Sequence, residues 1–287
     1  MKFKGFSLHI NHPEETLSFY QDIIGFRLVE QYQVENHTIF CLESKARGYD
    51  LELIYNQESE NINYAHEMQD NYWKYSLFVD DIKRVYHRLN QIKHATGEAY
   101  QFGDIGYLMH TADTESHKIE FIQKTFEQHS RQTVSNDLFF LKEQPVLGLL
   151  TIRTKDLVKM LRFFESILGL KLFVRMYVEK GEGFTLYFLG DRELVPPNPD
   201  IDAIENREWM YQQNHLFIEI QYYWGSEYKE GFDLCRNKRG LKSINFVGNL
   251  ETVKEKLLLY EVQFVERETS IIFNTLDAHE IIVTQAI

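Results

Sequence analysis

The chain has 287 residues, of which 44% are hydrophobic and 14% aromatic, and its formal net charge at pH 7 is -12. This length can supply one large or two modest cores. The acidic balance, without a lysine or arginine run, argues against nucleic-acid and anionic-membrane partners, because both bind clustered positive charge. With only Cys41 and Cys235, no disulfide framework is expected. The sequence lacks a signal-peptide pattern and a run of the about 18 apolar residues that span a bilayer, so we expect a soluble cytoplasmic protein.

The first elements predict one helix among four strands. Alternating polarity predicts strands at Lys2 to Asn11, Phe26 to Val34, Thr38 to Glu43 and Asp50 to Tyr55. Pro13 suits the first position of a helix. The helix is expected to end at Gly25, since glycine readily adopts the left-handed conformation of a helix C-terminus.

The helical stretch Leu17 to Phe26 recurs in kind as Leu161 to Leu170, each with apolar residues at helical spacing and a closing glycine. A recurrence near the midpoint indicates that one structural unit is used at least twice. Similar runs of strand, helix and strands follow. Strands are expected at Trp73 to Val79, Tyr107 to Thr111, Lys118 to Gln123, Val146 to Thr154, Lys171 to Val178, Phe184 to Leu189, Leu216 to Tyr222, Ser243 to Val247, Gln263 to Arg267, Ser270 to Asn274 and Glu280 to Thr284. The proline-rich segment Val195 to Asp200 is expected to be a stiff, ordered loop.

These patterns predict an α+β fold of four βαβββ units that form two curved mixed sheets with open concave cups. The predicted domains are residues 1–128 and 144–287, with a linker at 129–143. Whether the units pair in sequence or crosswise stays open. A cup of this kind suits a small-molecule ligand. We also expect the protein to be a monomer or a homodimer.

A glutamate recurs among apolar neighbours in one strand of each unit: Glu52, Glu120, Glu219 and Glu280. In a strand each glutamate points away from its neighbours. An ordinary amphipathic strand explains one such residue. Recurrence at matching places favours metal ligands, or a general base beside a substrate.

The helix copies ending in Ile24, Gly25, Phe26 and in Leu168, Gly169, Leu170 resemble the hallmark of the vicinal oxygen chelate superfamily, which includes glyoxalase I, extradiol dioxygenases and bleomycin resistance proteins. The second half is most similar to glyoxalase I, in the strand Phe184 to Leu189 and in the segment Ile218 to Gly225. The resemblance covers nearly the whole chain. It implies a lyase that binds a divalent metal, either Ni, Zn, Mg or Mn.

The resemblance carries the metal-ligand glutamates onto Glu52, Glu120, Glu219 and Glu280. The positions of the imidazole or amide ligands hold other residues: Gly5, Lys74, Leu149 and Ser243. The ligand set is therefore incomplete. Two carboxylates alone hold nickel or zinc poorly. An ammonium at Lys74 is expected to pair with nearby glutamates and to mimic the charge of a metal.

The resemblance also implies substrate-binding positions that anchor glutathione, and these match Arg153, Arg239 and Asn56. Tyr187 and Tyr223 are further candidates for lining a pocket.

We therefore expect a glyoxalase I-like lyase or isomerase that acts on a small carbonyl or thiol adduct. Its base is Glu219 or Glu280, and a metal or Lys74 stabilises the enediolate. The alternatives are a metal-independent protein that binds or sequesters a small molecule, and an interaction scaffold.

Overall fold

A computed structural model describes residues 1–45, 48, 50–58, 64–179 and 181–286. These residues contain sixteen strands and five α-helices. The strands are β1 (Lys2–Ile10), β2 (Arg27–Val34), β3 (His37–Glu43), β4 (Asp50–Asn56), β5 (Tyr72–Val79), β6 (Tyr100–Phe102), β7 (Gly106–Ala112), β8 (Lys118–Gln123), β9 (Val146–Thr154), β10 (Leu170–Val178), β11 (Phe184–Asp191), β12 (Phe217–Tyr223), β13 (Leu241–Gly248), β14 (Phe264–Glu266), β15 (Ser270–Asn274) and β16 (Glu280–Gln285). The helices are α1 (Pro13–Ser18), α2 (Ile82–Gln91), α3 (Leu157–Ser166), α4 (Glu205–Tyr211) and α5 (Leu250–Leu259). None of the described helices combines the length and apolar character needed to cross a membrane.

The strands form two eight-stranded mixed sheets, as the α+β prediction requires. The first sheet has the order β14-β15-β16-β13-β1-β4-β3-β2, and the second has the order β10-β11-β12-β9-β5-β8-β7-β6. The first sheet therefore joins units one and four, whereas the second joins units two and three. The seams are the antiparallel pairs β1 with β13 and β5 with β9. The units pair crosswise, and the domain boundaries at 128 and 144 stay a prediction.

Most predicted strands are present within a residue or two, but two elements escaped the sequence patterns. Strand β6 is only three residues long, which is too short for alternation to reveal it. Helix α4 lies in the insertion between β11 and β12, downstream of the proline-rich segment. Helix α1 continues as a π-helical segment, Phe19–Ile24, which ends at Gly25 as predicted, with a φ angle of +87°. Helix α3 ends at Ser166, and Gly169 follows in the left-handed conformation with a φ angle of +76°.

Aromatic side chains make contacts between the two sheets. Tyr20, from the repeated helical motif, is fully buried, and its hydroxyl donates to Asp113 Oδ2 at 2.7 Å. The same hydroxyl lies 2.5 Å from the hydroxyl of Tyr75 on β5. Phe6 of β1 packs against Tyr75, with ring centroids 5.8 Å apart. The first helix therefore bridges the two sheets at their seams.

Buried carboxylates from one unit bind the segments that lead into helices of another unit. Glu115, between β7 and β8, accepts hydrogen bonds from the backbone amides of Asn11 at 2.8 Å and His12 at 2.6 Å, at the start of α1. Asp277, between β15 and β16, accepts one from the Thr154 hydroxyl at 2.7 Å, beside the start of α3. Because His12 makes no side-chain cap of its own, Glu115 satisfies amides that would otherwise stay unpaired.

We expect Glu115→Ala to lower the free energy of unfolding by about 2–4 kcal/mol, because it removes a helix cap and leaves buried amides unpaired. Urea denaturation measures this change. Glu15→Ala is the matched control, because it removes an exposed carboxylate from the first turn of the same helix. Its effect should stay below about 0.5 kcal/mol. Equal effects of the two substitutions would contradict the capping role of Glu115.

A neutral histidine joins units two and four. His279 is 1% exposed, and its Nε2 lies 2.8 Å from the carbonyl oxygen of Asn71, while its Nδ1 lies 2.7 Å from the Thr275 hydroxyl. Burial lowers the pKa of His279 from 6.5 to about 4, although the hydrogen bond to Asn71 opposes this shift. The imidazole therefore stays neutral in the folded protein over a range in which the unfolded chain binds a proton.

This difference makes stability depend on pH. Neutral His279 contributes to the free energy of unfolding, and this contribution is fully present above pH 6.5. It is lost as the pH falls towards 4, because only the unfolded chain binds the proton between these two pH values. We expect His279→Gln to flatten the slope of unfolding free energy against pH there by up to about 1.4 kcal/mol per pH unit. Thermal or urea unfolding between pH 7 and pH 4 measures the slope. The exposed His87→Gln is the control and should keep the wild-type slope.

Candidate functional site

Four central strands of the second sheet bring its charged residues together. In the order β8, β5, β9 and β12, these strands carry Glu120, Lys74, Thr151 and Glu219. Glu120 pairs in register with Ser76, two residues from Lys74, and Glu219 pairs with Thr151. The seam pairs Lys74 with Thr151. Lys74 therefore lies between the two glutamates on one face of the sheet.

The ammonium of Lys74 is hydrogen-bonded to Glu120 Oε2 and lies 3.6 Å from Glu219 Oε2. Lys74, Glu120 and Glu219 are 3%, 5% and 1% exposed. Ser76 donates to Glu120 at 2.9 Å, and Thr151 donates to Glu219 at 2.8 Å. The charges are thus buried and paired, as their desolvation requires. We call Lys74, Glu120 and Glu219 the charged triad.

The two carboxyl groups of the charged triad have different environments. Burial disfavours the charged form of Glu120, but Lys74 and His110 outweigh it and hold the pKa of Glu120 well below its ordinary value. Burial raises the pKa of Glu219; Lys74 offsets part of this effect, and the charge of Glu120 adds to it. Burial opposes the charge on Lys74, yet the two glutamates raise its pKa above the ordinary value. Of the two carboxyl groups in the triad, Glu219 therefore has the higher pKa and binds a proton more readily than Glu120.

The charged triad opens onto a cavity of about 280 Å³. Aromatic and aliphatic side chains form most of its wall: Trp73, Tyr100, Phe102, Ile105, Leu108, Ile122, Leu149, Val178, Phe184, Leu186, Phe188, Tyr211 and Tyr223. A register shift between Tyr72 and Lys74 explains how the neighbouring residues Trp73 and Lys74 both reach the cavity. Pockets that combine an apolar wall with a few polar groups are typical of small-molecule sites.

The insertion that carries α4 contributes to the wall of the cavity. Tyr211 lines the cavity, and its hydroxyl donates to the carbonyl oxygen of Ile105 at 2.8 Å. Arg207 donates to the carbonyl oxygen of Asp104 at 2.6 Å. On the other edge of the sheet, the amide of Arg175 in β10 donates to the carbonyl oxygen of Ile201 at 2.8 Å. The segment predicted as a stiff loop thus begins an insertion that connects the two outer edges of the second sheet.

The donor set of the cavity does not suit a transition metal. A divalent ion in contact with both glutamates would share its place with the ammonium of Lys74, which would repel it. The described residues include no group of three or more histidine, cysteine or acidic side chains that could hold a metal. Of the nitrogen and sulfur donors that nickel and zinc prefer, the described lining offers His110, and a cation lies between the two glutamates.

The other candidates expected in the second sheet have different positions. Tyr223 lines the cavity, where its ring packs against Phe184 with centroids 5.7 Å apart. Tyr187 lies between the cavity-lining residues Leu186 and Phe188 and so points to the opposite face of β11. Arg153 is 2% exposed, and its Nε donates to Gln221 at 2.9 Å. Of these candidates, Tyr223 is the one that reaches the cavity.

The remaining candidates belong to the first sheet. Glu52 accepts hydrogen bonds from Ser7 at 2.5 Å and from Asn245 at 2.9 Å. Glu280 accepts one from Lys242 at 2.8 Å and one from Arg236 at 3.2 Å.

Asn56, at the end of β4, accepts a hydrogen bond from the amide of Glu58 at 2.9 Å. Arg239 lies in the loop before β13, where its amide donates to Asn237 at 3.1 Å. The predicted catalytic set is therefore divided, since Glu280 lies in a different sheet from Lys74 and Glu219.

Sequence reasoning missed two groups beside the charged triad. His110 on β7 faces Glu120 in register, and its Nε2 lies 3.0 Å from Glu120 Oε1. Gln221 on β12 lines the cavity and binds Arg153. Strand alternation predicts the face of Gln221, because it is two residues from Glu219. No local signal predicts the pairing of His110 with Glu120, since it depends on the register between two strands.

Residues 3–130 match the family model of the Glyoxalase/Bleomycin resistance protein/Dioxygenase superfamily. Among solved structures, the chain is similar to glyoxalase I from Zea mays, with a TM-score of 0.70, 15% identity and coverage of 99% of this chain and 92% of that chain. A putative dioxygenase from Bacillus subtilis has a TM-score of 0.59 and 14% identity, with coverage of 99% and 85%. At these identities, the structural similarity establishes the fold alone. A search of curated proteins gave no match.

We expect Lys74→Met to lower the free energy of unfolding by about 3–5 kcal/mol, because it leaves two buried carboxyl groups without their cation. The double variant Lys74→Met/Glu120→Gln should recover part of this loss, since it removes the carboxylate that depends most on the ammonium. Urea denaturation of both variants measures the coupling. Lys118→Met is the control, because Lys118 pairs in register with Lys74 but is exposed. A double variant less stable than Lys74→Met would contradict this account.

Proposed function

We propose that the second-sheet cavity is the active site of a lyase or isomerase that moves a proton at the carbon next to a carbonyl group, without a metal. The observation that carries this proposal is the position of Glu219 and Lys74, whose charged groups lie 3.6 Å apart on the same cavity. A carboxyl group beside a fixed cation in an apolar pocket combines a proton acceptor with an electrophile.

In the proposed reaction, the ionised form of Glu219 accepts the proton from the carbon next to the carbonyl group. The electron pair of the broken C–H bond forms a C=C bond, and the carbonyl oxygen becomes an enediolate oxygen. The ammonium of Lys74 stabilises that oxygen by charge and hydrogen bonding. The substrate carries a hydroxyl group on the carbon that loses the proton. Glu219 returns the proton to the former carbonyl carbon, and the hydroxyl proton passes to the enediolate oxygen as the C=O bond re-forms at the other carbon, so the substrate is isomerised without any other reactant. The raised pKa of Glu219 supports this role, because a general base works best with a pKa near the working pH.

Glu120 has a separate part in the proposal. It keeps Lys74 in place through a direct hydrogen bond, and its own pKa is held low by Lys74 and His110, so it stays ionised. The negative charge of Glu120 favours the protonated form of Lys74 and leaves proton transfer to Glu219. The two carboxyl groups thus have different tasks because their neighbours differ.

A binding or sequestering protein is the second candidate function. It is favoured by the pairing within the charged triad, in which Lys74 and the two glutamates satisfy one another and Ser76 and Thr151 complete the hydrogen bonds. An apolar cavity beside a charged triad whose members pair with one another can bind a ligand without catalysing its reaction. The two candidates predict similar binding and differ in proton exchange. The cytoplasmic location and the monomeric or homodimeric state stay predictions.

Proton exchange tests the enzymatic proposal. The purified protein is incubated in D₂O with chelator and either 2-hydroxyacetophenone or the hemithioacetal of methylglyoxal and glutathione, and proton NMR follows deuterium entry next to the carbonyl group. We expect exchange with at least one probe. Glu219→Gln should slow it by about 10²–10⁴-fold, the typical contribution of a general base. The exposed Glu193→Gln is the matched control and should exchange at the wild-type rate.

Two results would overturn the proposal. The first is no exchange with either probe, which leaves the binding function. The second is exchange that survives Glu219→Gln but is lost in Glu280→Gln, which would move the chemistry to the first sheet. Exchange that requires added metal would contradict the role given to Lys74.

A further inference from the structure

The wall of the cavity is almost free of charge outside the charged triad. Of the eighteen lining residues, thirteen are aromatic or aliphatic, and seven of these thirteen are aromatic. The polar members are Lys74, His110, Glu120, Glu219 and Gln221. Transfer of an unpaired charge into such surroundings is strongly unfavourable. The wall thus favours a ligand without charge.

The one lysine or arginine among the described lining residues is already paired. The ammonium of Lys74 is hydrogen-bonded to Glu120 and lies 3.6 Å from Glu219. An anionic ligand would meet two carboxyl groups for each cation. The triad therefore has no excess positive charge with which to bind a carboxylate or phosphate.

Arg153, the position expected to anchor glutathione, is engaged inside the protein. Its Nε donates to Gln221 at 2.9 Å, and its Nη1 donates to the carbonyl oxygens of Asp70 at 3.0 Å and Glu67 at 3.3 Å. Its Nη2 lies 3.3 Å from Nε2 of His66. The guanidinium is 5.4 Å from the ring centroid of Trp73, a lining residue. Arg153 thus supports the cavity wall from behind, and a glutathione carboxylate would have to break several of its hydrogen bonds.

The size of the cavity favours a small ligand. Its volume of about 280 Å³ is just below the range of about 300–1,000 Å³ that is typical of sites for drug-sized ligands. Flat rings pack well against aromatic side chains, because stacked and edge-to-face contacts add to the burial of apolar surface. A small ring compound fits this space and this lining.

We propose that the cavity binds a small, uncharged aromatic carbonyl compound and that this compound enters without glutathione or another charged thiol. The carbonyl group of the ligand lies against Lys74, as the proposed function requires, and the ring packs among the aromatic side chains of the wall. This inference rests on the proposed function for the carbonyl group alone. The preference for an uncharged ligand follows from the cavity itself.

Three flat probes of similar size test the charge preference: acetophenone is neutral, benzoate is anionic and benzamidine is cationic. Ligand-observed NMR titration measures their dissociation constants, and S-lactoylglutathione is added as a charged thiol adduct. We expect acetophenone to bind at least about tenfold more tightly than each of the other three, because each of these must bury a charge that the triad does not pair. Cyclohexyl methyl ketone, which lacks the flat ring, should bind more weakly than acetophenone.

A charge-changing variant shows that the triad sets this preference. Glu120→Gln/Glu219→Gln leaves the ammonium of Lys74 without its carboxylate partners, so the affinity for benzoate relative to acetophenone should rise by at least about tenfold. Circular dichroism confirms that the variant is folded. If it is not folded, the comparison of the probes on the wild-type protein still decides the question.

The outcomes separate this inference from the proposed function. Tight acetophenone binding without proton exchange supports the ligand class and overturns the enzymatic function. Proton exchange of the hemithioacetal without acetophenone binding does the reverse. The inference is also overturned if benzoate, benzamidine or S-lactoylglutathione binds as tightly as acetophenone, or if none of the probes binds.

Discussion

The ammonium of Lys74, buried between two glutamates, is the constraint on which the second sheet depends. A charge that is 3% exposed is tolerated only with partners on the same face, and Glu120 and Glu219 supply them from either side. Glu120 comes from the unit of Lys74 itself, whereas Glu219 comes from the next unit. The crosswise pairing of the units is thus what brings the charges together. A sheet made from units one and two would separate Lys74 from Glu219.

The first sheet also has two glutamates, on the corresponding strands β4 and β16, but these glutamates have different partners. Glu52 accepts hydrogen bonds from Ser7 and Asn245 near the seam. Glu280 is paired with Lys242 and Arg236. One scaffold therefore holds two carboxylate pairs with unlike partners. In the second sheet a single cation is shared at the centre. In the first sheet two neutral side chains donate hydrogen bonds to Glu52, and two cations pair with Glu280.

Local sequence patterns predicted the units, the closing glycines and the face of each glutamate, because these features depend on neighbours within a few residues. The family resemblance of the sequence also placed Lys74 where a metal-ligating imidazole or amide was expected. Features set by long-range pairing were not predictable in this way. The choice between sequential and crosswise sheets depends on which first strands meet at the seam, and the contact of His110 with Glu120 depends on strand register. The engagement of Arg153 with backbone carbonyls of a distant loop has no sequence signal at all.

The crosswise pairing also determines the order in which the chain can fold. The second sheet lies within a continuous stretch from Tyr72 to Tyr223, so all its strands are present once that stretch has left the ribosome. The seam of the first sheet joins β1 to β13, which come from opposite ends of the chain. During synthesis, the edge of β1 that pairs with β13 therefore stays unpaired until the last unit has been made. An open strand edge invites pairing with other chains. The buried hydrogen bond from Tyr20, in the π-helical segment after α1, to Asp113 gives the first unit a native contact with the second sheet before β13 is made.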